Sequence, residues 1–197
     1  SLLDRLLKLN PEFVSEVTAL TDDGLLEPLA SGYNHPLLPI LPYESAVRHV
    51  KRDYESKRQI FDVEPTGFWP TDLGWTHWMV PLLCDLGIEW TVIDSPSLIK
   101  ANSLPAWTSA EESGLSVLTP DVAAKTAVRE LHMPYSTAFG ERSLGVLLRD
   151  HERSVSLFGS ELGGDGNGAL YDVGQLNSFV EDLLSLDGDV VLLGEDG

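Results

Sequence analysis

The chain has 197 residues, 43% of them hydrophobic, and carries 31 Asp and Glu against 13 Lys and Arg, a formal net charge of -18. That length suits one core of ordinary size, and the charge argues against nucleic acid or an anionic membrane as a partner. No run approaches the ~18 apolar residues a membrane span needs, and so acidic a surface fits a protein kept soluble in concentrated salt, as in a salt-accumulating microbe.

The chain opens in amphipathic helix pattern, without an initiator Met. No basic stretch leads into a continuous apolar one, so no signal peptide is read, and the chain is taken as a fragment or a processed product. Residues 2–9 and 12–20 read as helices broken at Asn10-Pro11, with Gly24 closing the second. Leu25 to Ala30 suits a short strand. The turn-rich loop Ser31-Gly32-Tyr33-Asn34-His35-Pro36-Leu37-Leu38-Pro39 follows. Residues 43–61 are polar and favour helix, and Thr66 to Trp69 is a short aromatic strand. Trp75, Trp78, Met79, Leu82, Leu83 and Leu86 form a helical apolar stripe that Gly87 ends, with a kink or early break expected at Pro81. Glu89 to Asp94 reads as strand. Residues 95–140 are poorly patterned, with one helix expected at 120–131. Leu144 to Leu148 is a buried strand running into Arg149-Asp150. Gly159 to Gly168 is a loop. Leu176, Phe179, Val180, Leu183 and Leu184 mark a last helix, and Asp187-Gly188 turns into strand Val190 to Leu193. Strands and helices mostly alternate, and the strands look covered on both faces, which predicts α/β with a parallel sheet.

In such folds chemistry collects at the C-terminal ends of strands. Asp72, Asp94, Asp150 and Asp196 all fall there. An acid after a strand often caps the next helix instead, and Asp94 and Asp150, taken alone, are read as caps. Asp72 stands apart because Trp69 and Trp75 flank it, although indoles fill cores as readily as they stack on sugars. Two acids at distant strand ends are the equipment of glycoside hydrolysis. His35, His49, His77, His132 and His151 have no metal-ligand spacing, and Gly163 to Gly168 lacks the acids of a calcium loop. No Gly-rich phosphate loop and no Gly-x-Ser-x-Gly elbow occurs, so no cofactor or metal is expected. The single Cys84 excludes an internal disulfide, reads as core filler, and fits a reducing compartment, so the expected location is cytoplasmic.

Three stretches, Gly32 to Pro39, Gly67 to Trp75 and Val190 to Gly197, resemble glycoside hydrolase family 57, the retaining α-glucan enzymes that include amylases, branching enzymes and 4-α-glucanotransferases. The first is similar to the family's His-Pro loop with a following Leu-Pro. The second is similar to the nucleophile segment, and the third to the strand ending in Asp-Gly that carries the general acid/base. Leu147-Leu148-Arg149-Asp150-His151 also resembles a family strand ending in Arg-Asp. The resemblance implies an incomplete parallel (β/α)7-type, TIM-like barrel. It implies one catalytic domain over residues 1–197, lacking the family's first strand and the region after Gly197. It implies a double displacement on α-glucan or an oligosaccharide. Asp72 sits where the nucleophile would be and Asp196 where the acid/base would be. His35, Trp69 and Trp75 would line sugar subsites, with Arg149 and Asp150 as further substrate contacts. Retaining chemistry needs two carboxyls about 5–5.5 Å apart, with the acid's pKa raised by burial or by a neighbour such as Glu195. The family nucleophile is normally Glu. An Asp falls short by about 1.5 Å, one C–C bond, which can cost about a hundredfold in rate. Two other readings follow: an inactive relative that binds carbohydrate or regulates, and a metal-dependent polysaccharide deacetylase, against which the lack of paired His counts. Oligomeric state is not written in the sequence.

Overall fold

Asn10 separates the first two helices, α1 (Leu2–Leu9) and α2 (Pro11–Asp22), in the computed structural model, which describes residues 2–98, 131–158, 173–186 and 188–194. Its side-chain oxygen accepts the Phe13 N–H at 3.2 Å, and Pro11 takes the first helical position, where no N–H is needed. α3 (Tyr43–Phe61) is the long polar helix expected; it buries Ala46, Val50, Tyr54 and Phe61 along one face, together with Asp53. α4 (Met79–Asp85) is shorter than its apolar stripe. Pro81 explains this: its ring would clash with the carbonyl four residues back, so the helix starts where Pro81 falls in the first turn. Gly87, with φ 82°, ends it as expected.

β1 (Gly67–Phe68) pairs in parallel with β2 (Trp90–Asp94), Gly67 opposite Trp90 and Phe68 opposite Thr91. β3 (Tyr135–Phe139) pairs antiparallel with β4 (Arg142–Arg149), Tyr135 opposite Val146. Among the described residues these make one open four-stranded sheet in the order β1-β2-β4-β3. The fold is mixed α/β, and β3 corrects the all-parallel expectation. Its burial alternates only weakly, as suits an edge strand, so it carries no clear apolar period. The expected strand Leu25 to Ala30 shrinks to a single parallel bridge between Ala30 and Phe68.

The chain divides into two compact units, residues 1–92 with 135–146 and residues 93–134 with 147–197. The core of the first unit joins Ala30, Leu38, Val50, Phe68, Met79, Leu83 and Leu144, all nearly solvent-free. Burying a Phe or Leu side chain contributes about 1.5–3 kcal/mol, so this cluster is the main support of the unit. Cys84 packs against it as core filler, its thiol 3.4 Å from the Ser143 carbonyl. The second unit holds the last residues of β2 and β4, α5 (His151–Phe158) and α6 (Val173–Leu184), with Leu192 in a parallel bridge to Arg149. Val180 and Leu184 of α6, read from the sequence as core-facing, are exposed. No helix among the described residues is long and apolar enough to cross a membrane. The helix expected over 120–131, apart from Leu131, and the loop Gly159 to Gly168 lie outside the described residues, as does Asp196.

Candidate active site

In the first unit two loops start beside each other, one after the Ala30 bridge and one after β1. Ala30 N–H donates to the Gly67 carbonyl at 2.9 Å and Trp69 N–H to the Ala30 carbonyl at 2.8 Å, so residues 31–39 and 69–75 start side by side. Five non-glycine residues among those described have positive φ, and four lie in these loops: Asn34 (63°), His35 (55°), Asp72 (50°) and Leu73 (51°). Each such residue costs roughly 1–2 kcal/mol, a cost that persists only where the surroundings over-determine the backbone, and such residues cluster at functional sites.

The surroundings do so here. Asp53 on α3, itself buried, accepts the Ser31 N–H at 2.6 Å and holds Lys57 at 2.7 Å. Tyr33 N–H donates to the His49 carbonyl at 3.2 Å, and His49 Nδ1 is hydrogen-bonded to the Tyr33 carbonyl. Arg52 lies 4.2 Å over the Tyr33 ring, and the Tyr33 hydroxyl donates to Asp4. That bond, then burial, push the phenol pKa up. The two loops also touch. A Cβ on Gly32 would meet Pro36 Cδ at 2.9 Å and Thr71 Oγ1 at 3.0 Å, and one on Gly74 would meet Leu37 Cδ1 at 2.5 Å. Only glycine allows this approach. Thr71 is fully buried and its hydroxyl has no partner among the described residues.

On this clamped backbone Asp72 is exposed, in a 3-10 turn over Thr71–Leu73, with no hydrogen-bond or ion-pair partner among the described residues. It does not cap α4, which starts at Met79 without a side-chain cap bond. His35 is exposed on the neighbouring loop, while Trp69 and Trp75 are half-buried. Trp75 packs on the core, so one of its faces is spent on structure.

The second unit gathers a different set. Arg149, 8% exposed, donates from Nη1 to Asp94 Oδ1 at 3.0 Å and from Nε to the Gly194 carbonyl at 2.5 Å. His151 Nδ1 lies 2.8 Å from the other Asp94 oxygen. Asp150, 3% exposed, is the expected cap of α5: its carboxylate accepts the Arg153 N–H at 3.0 Å, and also binds the Arg153 side chain and His132, each at 2.9 Å. Burial is the largest influence on this carboxyl and raises its pKa. The bonds from Arg153 and His132 together outweigh it, and the pKa lies below the ordinary value. Both Arg149 and Asp150 are thus buried and engaged with protein partners, where the resemblance implies sugar contacts. The chain toward Asp196 is anchored here: Asp150 N–H donates to the Leu192 carbonyl at 2.9 Å and Gly194 N–H to Ser154 Oγ at 3.2 Å.

The sequence profile of Glycosyl hydrolase family 57 matches residues 1–197. The chain belongs to that family. Within family 57, it is 25% identical over 122 residues to Alpha-amylase 1 of Dictyoglomus thermophilum, covering 60% of this chain and 18% of the relative. It superposes on the crystal structure of 4-alpha-glucanotransferase from Thermococcus litoralis with TM-score 0.64 and 21% identity, over 97% of this chain and 24% of that one. A family 57 branching enzyme from Thermococcus kodakaraensis, crystallised with glucose, matches with TM-score 0.55 and 16% identity, over 91% of this chain and 38% of that one. This chain therefore spans about a fifth of the curated relative's length. At these identities the structural matches speak for the fold.

Sequence reading did not find the Asp94–Arg149–His151 cluster of this family 57 chain. Its members come from two segments far apart in sequence, and the only signal was an acid and an Arg at neighbouring strand ends.

Proposed function

We propose that this chain is an α-glucan-active domain working by retaining double displacement on the architecture of an incomplete (β/α)7 barrel. Asp72 is the nucleophile and Asp196 the acid/base. His35, Trp69 and Trp75 line the sugar subsites. Arg149 and Asp150 anchor the segment around Leu192 and Gly194 that leads to Asp196. The acidic surface suits work in a salt-rich cytoplasm. The observation that carries this reading is the presentation of Asp72: an exposed carboxylate, without a partner among the described residues, on two consecutive left-handed residues clamped by a second strained loop. A surface acid with no task gains nothing from such a backbone.

The test is turnover of maltooligosaccharides in high salt by wild type, Asp72→Ala and Asp72→Glu. Asp72→Ala should abolish turnover. Asp72→Glu, which restores the missing ~1.5 Å of reach, should raise kcat, by up to about a hundredfold. Equal turnover by wild type and Asp72→Ala refutes the assignment. Binding without turnover in all three identifies a non-catalytic carbohydrate binder, the reading favoured by Asp where the family normally has Glu.

A further inference from the structure

The geometry points to His151, in the second unit, as a contact for a hydroxyl group of the glucan, with Asp94 and Arg149 as its positioning residues. This inference rests on the α-glucan reading above. His151 Nδ1 stands 2.8 Å from Asp94 Oδ2, and an ionised carboxylate only accepts hydrogen bonds, so Nδ1 carries the proton. In the neutral ring the lone pair is then on Nε2, and that atom has no partner among the described residues. The side chain is 46% exposed, whereas that of Asp94 is 22% exposed. Arg149 Nη1 lies 3.3 Å from the same Nδ1. With Nδ1 protonated this is two donors drawn to one carboxylate, not a bond between them.

The ring is fixed at every link behind it. The His151 backbone N–H donates to Ser95 Oγ at 3.2 Å. Asp94 holds the ring through Nδ1. Arg149 holds Asp94 and is itself held by the Gly194 carbonyl. The Arg149–Asp94 ion pair closes without any histidine, so tying β2 to β4 does not call for the imidazole. The imidazole adds an oriented acceptor on a half-exposed ring, the arrangement in which a partner behind one ring nitrogen prepares the other for a ligand. Such an acceptor suits an uncharged, hydroxyl-rich ligand. A phosphate or carboxylate ligand would meet the Nε2 lone pair, which offers it no donor.

The experiment uses the full chain, maltopentaose, calorimetric titration, and diethyl pyrocarbonate acylation read by peptide mass mapping. His151 should be acylated in the free protein and protected at saturating maltopentaose. His151→Ala should bind maltopentaose about fivefold more weakly, the loss of one hydrogen bond. His151→Gln, whose amide reaches the Nε2 position, should recover most of that loss. Because the side chain is half exposed, neither variant threatens folding. Equal affinity of wild type and His151→Ala, or undiminished acylation in the saturated complex, overturns the inference and leaves the α-glucan reading standing. Absence of maltopentaose binding by wild type sinks both.

Discussion

Asp150 tests whether a buried network or the apolar core governs the second unit. Its carboxylate caps α5 through the Arg153 N–H and binds the side chains of Arg153 and His132, while Arg153 reaches on to Asp182 at 2.8 Å. Asp150→Ala removes the cap, worth about 1 kcal/mol. It also leaves a fully buried His132 without its acid and Arg153 with Asp182 alone, and breaking a buried pair this way costs about 3–5 kcal/mol. The two losses share atoms, so the expected total is about 3–5 kcal/mol rather than their sum. Asp150→Asn keeps an acceptor for the cap and should cost about 2 kcal/mol. The pH dependence has a definite sign. The folded pKa is lowered, so the extra stability is complete above the unfolded value of about 4 and is lost as pH falls through the folded pKa. The gap between wild type and Asp150→Asn should therefore narrow between pH 7 and pH 2. Urea unfolding followed by circular dichroism at several pH values reads both effects. A cost below 1 kcal/mol for Asp150→Ala, with a gap that does not change with pH, would refute the reasoning.

Asp53→Ala should cost about 2–3 kcal/mol, because it orphans the Ser31 N–H and Lys57, and should speed amide exchange across residues 31–35; unchanged exchange there would show that α3 does not hold the loop. Phe68→Ala, in a fully buried site, should cost about 3–5 kcal/mol in thermal or urea unfolding. Gly32→Ala forces a methyl to 2.9 Å from the Pro36 ring and 3.0 Å from Thr71 Oγ1. It should destabilise by about 1–3 kcal/mol and lower turnover by separating the loops, and a variant as stable and as active as wild type would show that the two loops move freely.

Local signals carried the helices well. Asn10-Pro11 broke the first pair because one residue caps and the other needs no N–H, and both properties are written in the residue types. α3 was legible from helix-favouring composition, although its buried Asp53 was not, since only the distant Ser31 N–H explains an acid there. The stripe from Trp75 to Leu86 misled at its start: Trp75 and Trp78 do pack on the core, but from a loop and a helix cap rather than from within a helix. β3 was illegible because an exposed edge strand needs no apolar alternation. At the candidate site the strand-end acids were legible, and their environments were not. Asp150 proved a buried cap, Asp94 shares its oxygens between Arg149 and His151, and Asp72 meets neither fate among the described residues. Sequence spacing names which acids follow strands; only long-range partners decide which of them are left facing solvent.

Cys84 makes the first unit open to a measurement that needs no mutation. It is the single thiol in 197 residues, carried by α4 and directed at the Ser143 carbonyl of β4. An alkylating reagent therefore has one target, partly buried against the core, and movement of α4 away from that core exposes it further. The labelling rate becomes a clock for that excursion, and slowing of the clock by added salt would report directly how screening of the negative charge tightens this half of the molecule.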